Sequence, residues 1–190
     1  MTSAMHDLLN VALSPDATPE DIANTPLPES MRAAVVRADE VDMFDGVPSS
    51  DKDPRKSLHV DEVDLPPLGP NEVLIAPMAS AFLKRFGREG ELGARHDLPY
   101  HIVGSDAAGV VLRTGPGVTR WQPGDRVTVH CNYVDMEGPE GHDDSMIDDR
   151  QRIWGFETNF GGLAEVSMVK ANQLMPMPTH LTWEEAGSLG

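Results

Sequence analysis

Short apolar runs separated by turn-rich stretches dominate the chain after residue 30. Residues 33–36, 73–76 and 107–112 are apolar runs of the length that buried strands have. Residues 58–63 alternate between apolar and polar positions, as a half-buried strand does. Clusters of Pro, Gly and Asp, such as residues 45–54, break the pattern. We predict strands at residues 33–36, 58–63, 73–76, 107–112, 126–130 and 163–169. Short strands, few helices and no repeat favour a small β-barrel-like domain, mainly β with short helices (α+β).

Helical patterns are confined to the two ends of the chain. Apolar residues recur at helical spacing between residues 5 and 13. Residues 18–21, TPED, predict a second helix, with a hydroxyl N-cap, proline at the first helical position and acids in the first turn. Because such short helices are marginal alone, we expect residues 1–30 to be an arm that docks on a domain of residues 31–190. Residues 182–185, TWEE, predict a capped final helix.

Composition and charge exclude several classes of function. The chain has 15 basic and 31 acidic residues in 190, a net charge of -16. This balance argues against binding to nucleic acid or to an anionic membrane surface, because both depend on clustered Lys and Arg. A single cysteine excludes an internal disulfide framework. No apolar run approaches the roughly 20 residues of a membrane span, and the first residues do not resemble a secretion signal. The expected compartment is the cytoplasm.

The strongest local pattern is a set of glycines around the two strands predicted between residues 107 and 130. The strings are GSDAAGVV at 104–111, GPGV at 115–118 and GDRV at 124–127. Small residues at 104–109 let another backbone or a ligand come close, and the later glycines suit turns. A dinucleotide loop of the type G-x-G-x-x-G is rejected, because Arg120 replaces its last glycine and no helix follows.

No metal site is expected, and one basic cluster is left open. His96 and His101 do not share a helical face, and no second cysteine or acid completes a site with His130 and Cys131. All seven histidines are interpreted as structural or solvent-facing. The basic residues within 84–88 suit either the phosphates of an anionic ligand or a helix face that balances nearby acids.

The glycine pattern resembles the GroES-like catalytic domain of the medium-chain dehydrogenase/reductase superfamily. Further strings make the chain similar to the N-terminal catalytic portion of the crotonyl-CoA carboxylase/reductase family. They are DEVDMF at 39–44, DKDPRKS at 51–57, RHDLPYH at 95–101 and RIWGFETNFGG at 152–162, together with parts of the arm. The resemblance covers nearly the whole chain. It implies a partly open GroES-like β-barrel that is incomplete and preceded by a helical arm.

The resemblance also implies a reaction and two site residues. In this family NADPH gives hydride to the β-carbon of an enoyl-CoA thioester, and the resulting enolate attacks CO2 to give an alkylmalonyl-CoA such as ethylmalonyl-CoA. Such a site must exclude water, which would protonate the enolate. By resemblance, Phe156 shields the CO2 pocket and Glu157 orients water or backbone around CO2. Residues 161–162 permit close backbone approach. The full-length family implies a homo-oligomer and no metal.

Two departures from the family limit this prediction. After Ser80 the family continues with an Asn-Tyr-Asn segment and a helix, and this chain has neither. The missing asparagine belongs to the CO2 pocket of the family. The chain also stops at Gly190, where the family's nucleotide-binding domain would begin, and no unit that could bind NADPH precedes that point. We therefore predict that this chain alone does not turn over.

Two other functions remain open from the sequence. The lost asparagine favours a fragment of an enoyl or quinone reductase that does not carboxylate, whereas the WGFETNFGG string argues against it. The third function, from a different class, is a non-catalytic module that binds an acyl-CoA or a protein partner.

Overall fold

The computed structural model describes residues 3–40, 42–80, 98–133 and 151–189. The basic cluster predicted within residues 84–88 lies outside the described residues, and so does His96. In the described residues, three short helices and ten strands alternate with turns. The helices are α1 (Ser3–Ala12), α2 (Pro19–Asn24) and α3 (Trp183–Ala186). The strands are β1 (Ser30–Arg37), β2 (His59–Asp64), β3 (Glu72–Ala79), β4 (Tyr100–Ile102), β5 (Ala107–Thr114), β6 (Arg126–Val129), β7 (Asn132–Tyr133), β8 (Arg152–Ile153), β9 (Ser167–Lys170) and β10 (Leu174–Pro176).

The strands form two main sheets and a small ribbon, all antiparallel where they pair. One sheet has the order β2-β1-β4 and the other the order β10-β6-β5-β3-β9, while β7 pairs with β8. Neither main sheet closes on itself, so the barrel is open, and the prediction of a mainly β fold with short helices is confirmed. In the larger sheet β5 lies between β3 and β6, and its residues 107–112 are all buried. This central position explains its continuous apolar run.

Most predicted strands are confirmed, and one is shorter than predicted. The predicted strand at 163–169 begins only at Ser167. Residues 163–165 instead bond to β1, the middle strand of the first sheet: Leu163 O accepts from Ala34 N at 2.8 Å, and Glu165 N donates to Arg32 O at 3.0 Å. The sequence pattern therefore detected an extended segment but not the point at which its pairing changes from one sheet to the other.

The N-terminal helices share a core with the sheets. Met5 and Leu8 of α1 and Ile22 of α2 are buried in the same apolar cluster as Met31 and Leu112. The predicted cap of α2 is present, because Thr18 Oγ1 accepts from Asp21 N at 3.2 Å and Asp21 Oδ2 accepts from Thr18 N at 2.8 Å. The two short helices thus gain from tertiary packing the stability that they lack alone.

Arg113 on β5 ties the end of α2 to the larger sheet. One Nη donates to Ile22 O at 2.6 Å, and the other donates to Thr25 O. We expect Arg113→Ala to lower the free energy of unfolding by about 1–2 kcal/mol, since hydrogen bonds from a charged group are lost at a half-buried position. Limited proteolysis should detect earlier cleavage between residues 13 and 30, and urea denaturation should give the energy.

Arg120→Ala is the matched control for this prediction. Arg120 is exposed and stacks 5.1 Å from the ring centre of Trp121, so its loss should cost less than about 1 kcal/mol and should leave cleavage of the arm unchanged. Equal cleavage rates in Arg113→Ala and the original chain would show that Arg113 does not hold the arm.

No helix among the described residues is long and apolar enough to cross a membrane.

Candidate functional site

Residues 154–162, which we name the WGFETNFGG segment, fold back over the turn that precedes β5. Trp154 anchors its start and is only 1 % exposed. Its backbone N–H donates to Cys131 O at 2.8 Å, and its indole Nε1–H donates to Met168 O at 2.9 Å. The indole therefore fills the second apolar cluster with its polar atom satisfied, which fixes the segment against β6 and β9.

Three glycines bring the WGFETNFGG segment into contact with the backbone around Gly104. Gly155 has φ +67°, and a Cβ placed on it would lie 2.0 Å from Gly104 O. A Cβ on Gly161 would lie 2.5 Å from the same oxygen. Gly162 N donates to Gly104 O at 2.8 Å. The predicted close backbone approach at residues 161–162 is confirmed, and the partner is the chain's own backbone.

Phe156 and Glu157 lie in the tight turn between Ile153 and Thr158, and both are half-buried. Glu157 N donates to Ile153 O at 2.6 Å, and Glu157 Oε2 accepts from Ile153 N at 2.9 Å. One carboxylate oxygen of Glu157 thus closes the turn that carries both residues. The assignment of Phe156 and Glu157 to a CO2 pocket stays a prediction.

Asn159 joins the WGFETNFGG segment to the edge of β4. Its Oδ1 accepts from Ile102 N at 2.7 Å and from Phe160 N at 2.6 Å, and its Nδ2 donates to Tyr100 O at 3.0 Å. The side chain is 7 % exposed and takes the place that a neighbouring strand would have along β4. Sequence reasoning did not single out Asn159.

Phe160 adopts a backbone conformation that bulky residues rarely have. Its φ is +65°, in the left-handed region. Ser167 Oγ donates to Phe160 O and to Gly161 O, and the Phe160 ring meets Tyr100 edge to face with centroids 6.5 Å apart. These contacts offset the backbone strain at Phe160, because Ser167 holds its backbone and Tyr100 packs on its ring.

A cleft of about 230 Å³ lies beside the WGFETNFGG segment. Its walls are mainly apolar. Glu72 and Lys170 also line the cleft and form a salt bridge, with 2.9 Å between Glu72 Oε1 and Lys170 Nζ. The apolar lining residues are Leu98, Trp154, Phe160, Met168 and Val169. Phe156 and Glu157 do not line this cleft, so the two predicted site residues and the cleft are separate features of the segment.

Asp106 lies at the base of the WGFETNFGG segment, just before β5. Its backbone oxygen accepts from Ser80 Oγ at 2.6 Å and would lie 2.7 Å from a Cβ on Gly162. The side chain is 2 % exposed, and within the described residues its Oδ1 has no hydrogen-bond partner. Burial raises the pKa of the Asp106 carboxyl. Burial and the nearby Asp106 carboxyl also raise the pKa of the Cys131 thiol, which argues against a reactive thiolate.

Asp106→Asn is expected to stabilise the fold by about 1–3 kcal/mol near neutral pH, because it removes an unpartnered buried charge. The gain depends on pH with a defined sign. A carboxyl whose pKa is raised by folding costs nothing below its unfolded pKa of about 3.9, and its cost grows as pH rises through the folded pKa. Urea denaturation at several pH values should therefore give equal free energies of unfolding for the original chain and Asp106→Asn in acid. At higher pH the difference between the two proteins should grow. A difference that stays constant with pH would contradict the prediction.

Asp106 and Asn159 are the site features that sequence reasoning missed. A signal existed for Asp106, which is a lone charge within the small and apolar string GSDAAGVV. No local signal marked Asn159, because two of its three bonds reach β4 over more than 50 residues of chain.

The described residues contain neither a cluster suited to a metal nor a loop suited to a dinucleotide. No three His, Cys, Asp or Glu side chains among them lie close enough to hold a metal ion. The glycine turn at 115–117 joins β5 to β6, and a Cβ on Gly115 would lie 2.2 Å from Gly69 O. This turn packs on its own chain and does not begin a helix, so its residues do not fit a nucleotide cofactor.

Comparison with known sequences gives matches along nearly the whole chain. Residues 69–179 match the alcohol dehydrogenase GroES-like domain. The chain is 58 % identical over 202 aligned positions to the crotonyl-CoA reductase of Streptomyces collinus, covering 97 % of this chain and 45 % of the relative. It is 41 % identical over 141 positions to the crotonyl-CoA carboxylase/reductase of Cereibacter sphaeroides, covering 70 % of this chain and 33 % of the relative. The chain thus spans less than half the length of these relatives.

Comparison with solved structures gives the same result for the fold. The 2-octenoyl-CoA carboxylase reductase CinF of a Streptomyces species, in complex with NADP and 2-octenoyl-CoA, has a TM-score of 0.81 to this chain at 46 % identity. The match covers 98 % of this chain and 44 % of CinF. The predicted resemblance and the predicted GroES-like fold are both confirmed.

Proposed function

We propose a function on the premise that this chain belongs to the alcohol dehydrogenase GroES-like domain family, as its match over residues 69–179 shows. The chain is the N-terminal catalytic portion of an NADPH-dependent reductive carboxylase of enoyl-CoA thioesters. The observation that carries this proposal is the 58 % identity to a crotonyl-CoA reductase along 97 % of the chain. Residues 1–30 serve as a docked arm, and residues 31–190 serve as an incomplete catalytic domain.

The proposed reaction converts crotonyl-CoA, CO2 and NADPH into ethylmalonyl-CoA and NADP. In this reaction NADPH would supply a hydride to the β-carbon of the thioester, and the electron pair of the double bond would move onto the α-carbon as an enolate. The enolate forms a new carbon–carbon bond to CO2, whose own electron pair moves to oxygen and leaves a carboxylate. A proton from water would compete for the same α-carbon, so the site must keep water away.

Phe156 and Glu157 are the proposed CO2 residues. The Phe156 ring would shield one wall, and the Glu157 carboxylate would orient a water or the backbone around CO2. The position of the two residues supports this role. The Glu157 carboxylate closes the turn that carries them, and Trp154 and Asn159 on either side of the turn are held by hydrogen bonds. Phe156 and Glu157 are therefore held in one fixed arrangement. Binding groups with fixed geometry do not have to reorganise during the reaction.

NADPH is the proposed hydride donor, and its binding site is not among the described residues of this chain. The GPG turn that could suggest such a site packs on Gly69, so no step is assigned to this chain through the cofactor. We therefore propose that the chain alone does not consume NADPH. Purified chain incubated with crotonyl-CoA, bicarbonate and NADPH should leave the absorbance of NADPH unchanged, and a decrease that depends on crotonyl-CoA would overturn this part of the proposal.

A second candidate function, reduction without carboxylation, is favoured by one observation. The aligned stretch with the Streptomyces collinus relative has 202 positions, more than the 190 residues of this chain, so the relative carries residues without a counterpart here. The family resemblance predicts that such residues are missing after Ser80 and include an asparagine of the CO2 pocket. Loss of that asparagine would weaken the hold on CO2 and would favour the protonated product.

A chimera tests both candidates. This chain replaces the corresponding part of the Streptomyces collinus relative, and the products formed from crotonyl-CoA, NADPH and ¹³C-bicarbonate are separated by mass. A carboxylase gives labelled ethylmalonyl-CoA, and a plain reductase gives unlabelled butyryl-CoA. We expect labelled product from the chimera and a larger unlabelled share from its Phe156→Ala form. Butyryl-CoA alone would establish the second candidate.

A further inference from the structure

The cleft beside the WGFETNFGG segment is lined by polar groups that already have partners. Glu72 and Lys170 form an ion pair with each other. Asn159 bonds to β4 through both its carbonyl oxygen and its amide nitrogen. Gln173 donates from Nε2 to two backbone oxygens, each at 3.2 Å. A charged ligand group would therefore find no unpaired opposite charge among the described lining residues, and the cleft favours an uncharged apolar ligand.

The size of the cleft limits the size of that ligand. The volume of the cleft is about 230 Å³. A cavity of about 150 Å³ holds one benzene molecule, so one carbon takes up about 25 Å³. By this measure the cleft has room for a chain of about nine carbons. A four-carbon crotonyl chain would fill less than half of it, and the empty part would make no dispersion contacts.

The walls of the cleft are fixed before any ligand binds. Trp154 is held by the bond from its indole nitrogen to Met168 O. Phe160 is kept at φ +65°, and its ring packs edge to face on Tyr100. Strained backbone of this kind persists where the surrounding structure enforces it, and it clusters at ligand-binding sites. A preformed cleft binds a chain without the entropy loss that ordering its walls would cost.

The cleft begins directly after the proposed CO2 residues in the chain. Thr158 follows Glu157 and lines the cleft, and the N–H groups of both residues bond to Ile153 O in the same turn. Tyr133 is a second residue with a hydroxyl group in the lining. A hydroxyl group can donate a hydrogen bond to a carbonyl oxygen. A chain that enters the cleft at Thr158 therefore leaves its carbonyl group and α-carbon at the edge next to Glu157.

We propose that this cleft binds the unbranched acyl chain of an enoyl-CoA thioester and selects chains of about eight carbons over the crotonyl chain. This inference rests on the proposed function and names its preferred substrates, the medium-chain enoyl-CoA thioesters. The affinity comes from apolar chain area that the walls remove from water. A free medium-chain carboxylate carries the same apolar chain, so the experiment has to distinguish these two sources.

Calorimetry with the purified chain tests the proposal through a series of ligands. The ligands are trans-2-enoyl-CoA thioesters of four, six, eight, ten and twelve carbons, and free octanoate is the arm without CoA. We expect the affinity to increase about threefold to fourfold for each added methylene up to eight carbons. Beyond eight carbons it should stay constant, because the further carbons remain in water. Octanoate should bind more weakly than the eight-carbon thioester and should be displaced by it.

Substitutions of Leu98 should move this limit in opposite directions. Leu98→Trp fills part of the cleft and should lower the limit to six carbons or fewer. Leu98→Ala enlarges the cleft by about three carbons and should raise the limit to ten or more. Leu27→Trp and Leu27→Ala are the matched controls, because Leu27 is exposed on the arm and does not line the cleft. Thermal unfolding verifies that each variant is folded.

Each other outcome has one meaning. Equal affinity for all chain lengths, or a limit that the Leu98 variants do not move, would overturn the inference. Binding of octanoate without binding of the eight-carbon thioester would assign the cleft to free carboxylates and would also overturn it, as would the absence of binding by every ligand. Failure of the proposed function would appear separately, as a chimera that forms neither labelled nor unlabelled product from crotonyl-CoA.

Discussion

Gly155→Ala is expected to lower the free energy of unfolding by about 4 kcal/mol or more and to leave much of the protein unfolded at 37 °C. Two costs act together at this position. A side chain at φ +67° costs about 1–2 kcal/mol in the left-handed region. The new Cβ would also stand 2.0 Å from Gly104 O and 2.8 Å from Gly161 Cα, which are backbone atoms of a buried turn and cannot move like the end of a side chain. The total approaches the whole stability of an ordinary domain.

Gly46→Ala provides the matched control for Gly155→Ala. Gly46 has φ +71°, almost the same backbone conformation, but a Cβ there would meet nothing within 4 Å. Its substitution should cost only about 1–2 kcal/mol. Urea denaturation followed by circular dichroism gives both values, and their difference isolates the clash with Gly104. Equal costs for the two substitutions would mean that the WGFETNFGG segment can lift away from Gly104 without loss.

The sequence predicted those features whose causes are local. Apolar runs and capping residues act on their neighbours in the chain, so β3, β5 and the caps at Thr18 and Thr182 were found close to their true positions. The pairing strand β4 was missed, because three residues with one partner strand leave no period to detect. The point near Ser167 at which the chain stops pairing with β1 and begins β9 was also missed, because the few residues on either side leave no period to detect.

The candidate site was predicted only where a family pattern carried the information. Phe156 and Glu157 came from the resemblance, and nothing in their spacing alone distinguishes them from packing and surface residues. Asp106 and Asn159 owe their roles to contacts between distant segments, and those contacts exist only in the folded chain. A glycine such as Gly155 can be read from sequence as permissive, but the atom that it must avoid, Gly104 O, is about 50 residues away in the chain.

Asn159→Ala is expected to cost about 3 kcal/mol or more of the free energy of unfolding, although it removes only one small amide. Two backbone N–H groups, of Ile102 and Phe160, lose the oxygen that they share, and Tyr100 O loses its donor. Each buried group left without a partner costs about 1–3 kcal/mol. Phe160 also loses one of the contacts that hold it at φ +65°. Urea denaturation measures the sum, and hydrogen exchange at Ile102 and Phe160 should accelerate before that of the remaining sheet.

Asn159→Asp is the matched variant, because it keeps the shape and the acceptor oxygen. It loses the donor to Tyr100 O and adds a negative charge, which the N–H groups of Ile102 and Phe160 stabilise. It should retain slow exchange at Ile102 and Phe160 and should cost less than the alanine variant. If the two variants were equally unstable, the bond to Tyr100 would carry the effect, and the shared acceptor would not be what fixes the segment. If neither lost stability, the bonds of Asn159 to β4 would not be what holds Phe156 and Glu157 in position.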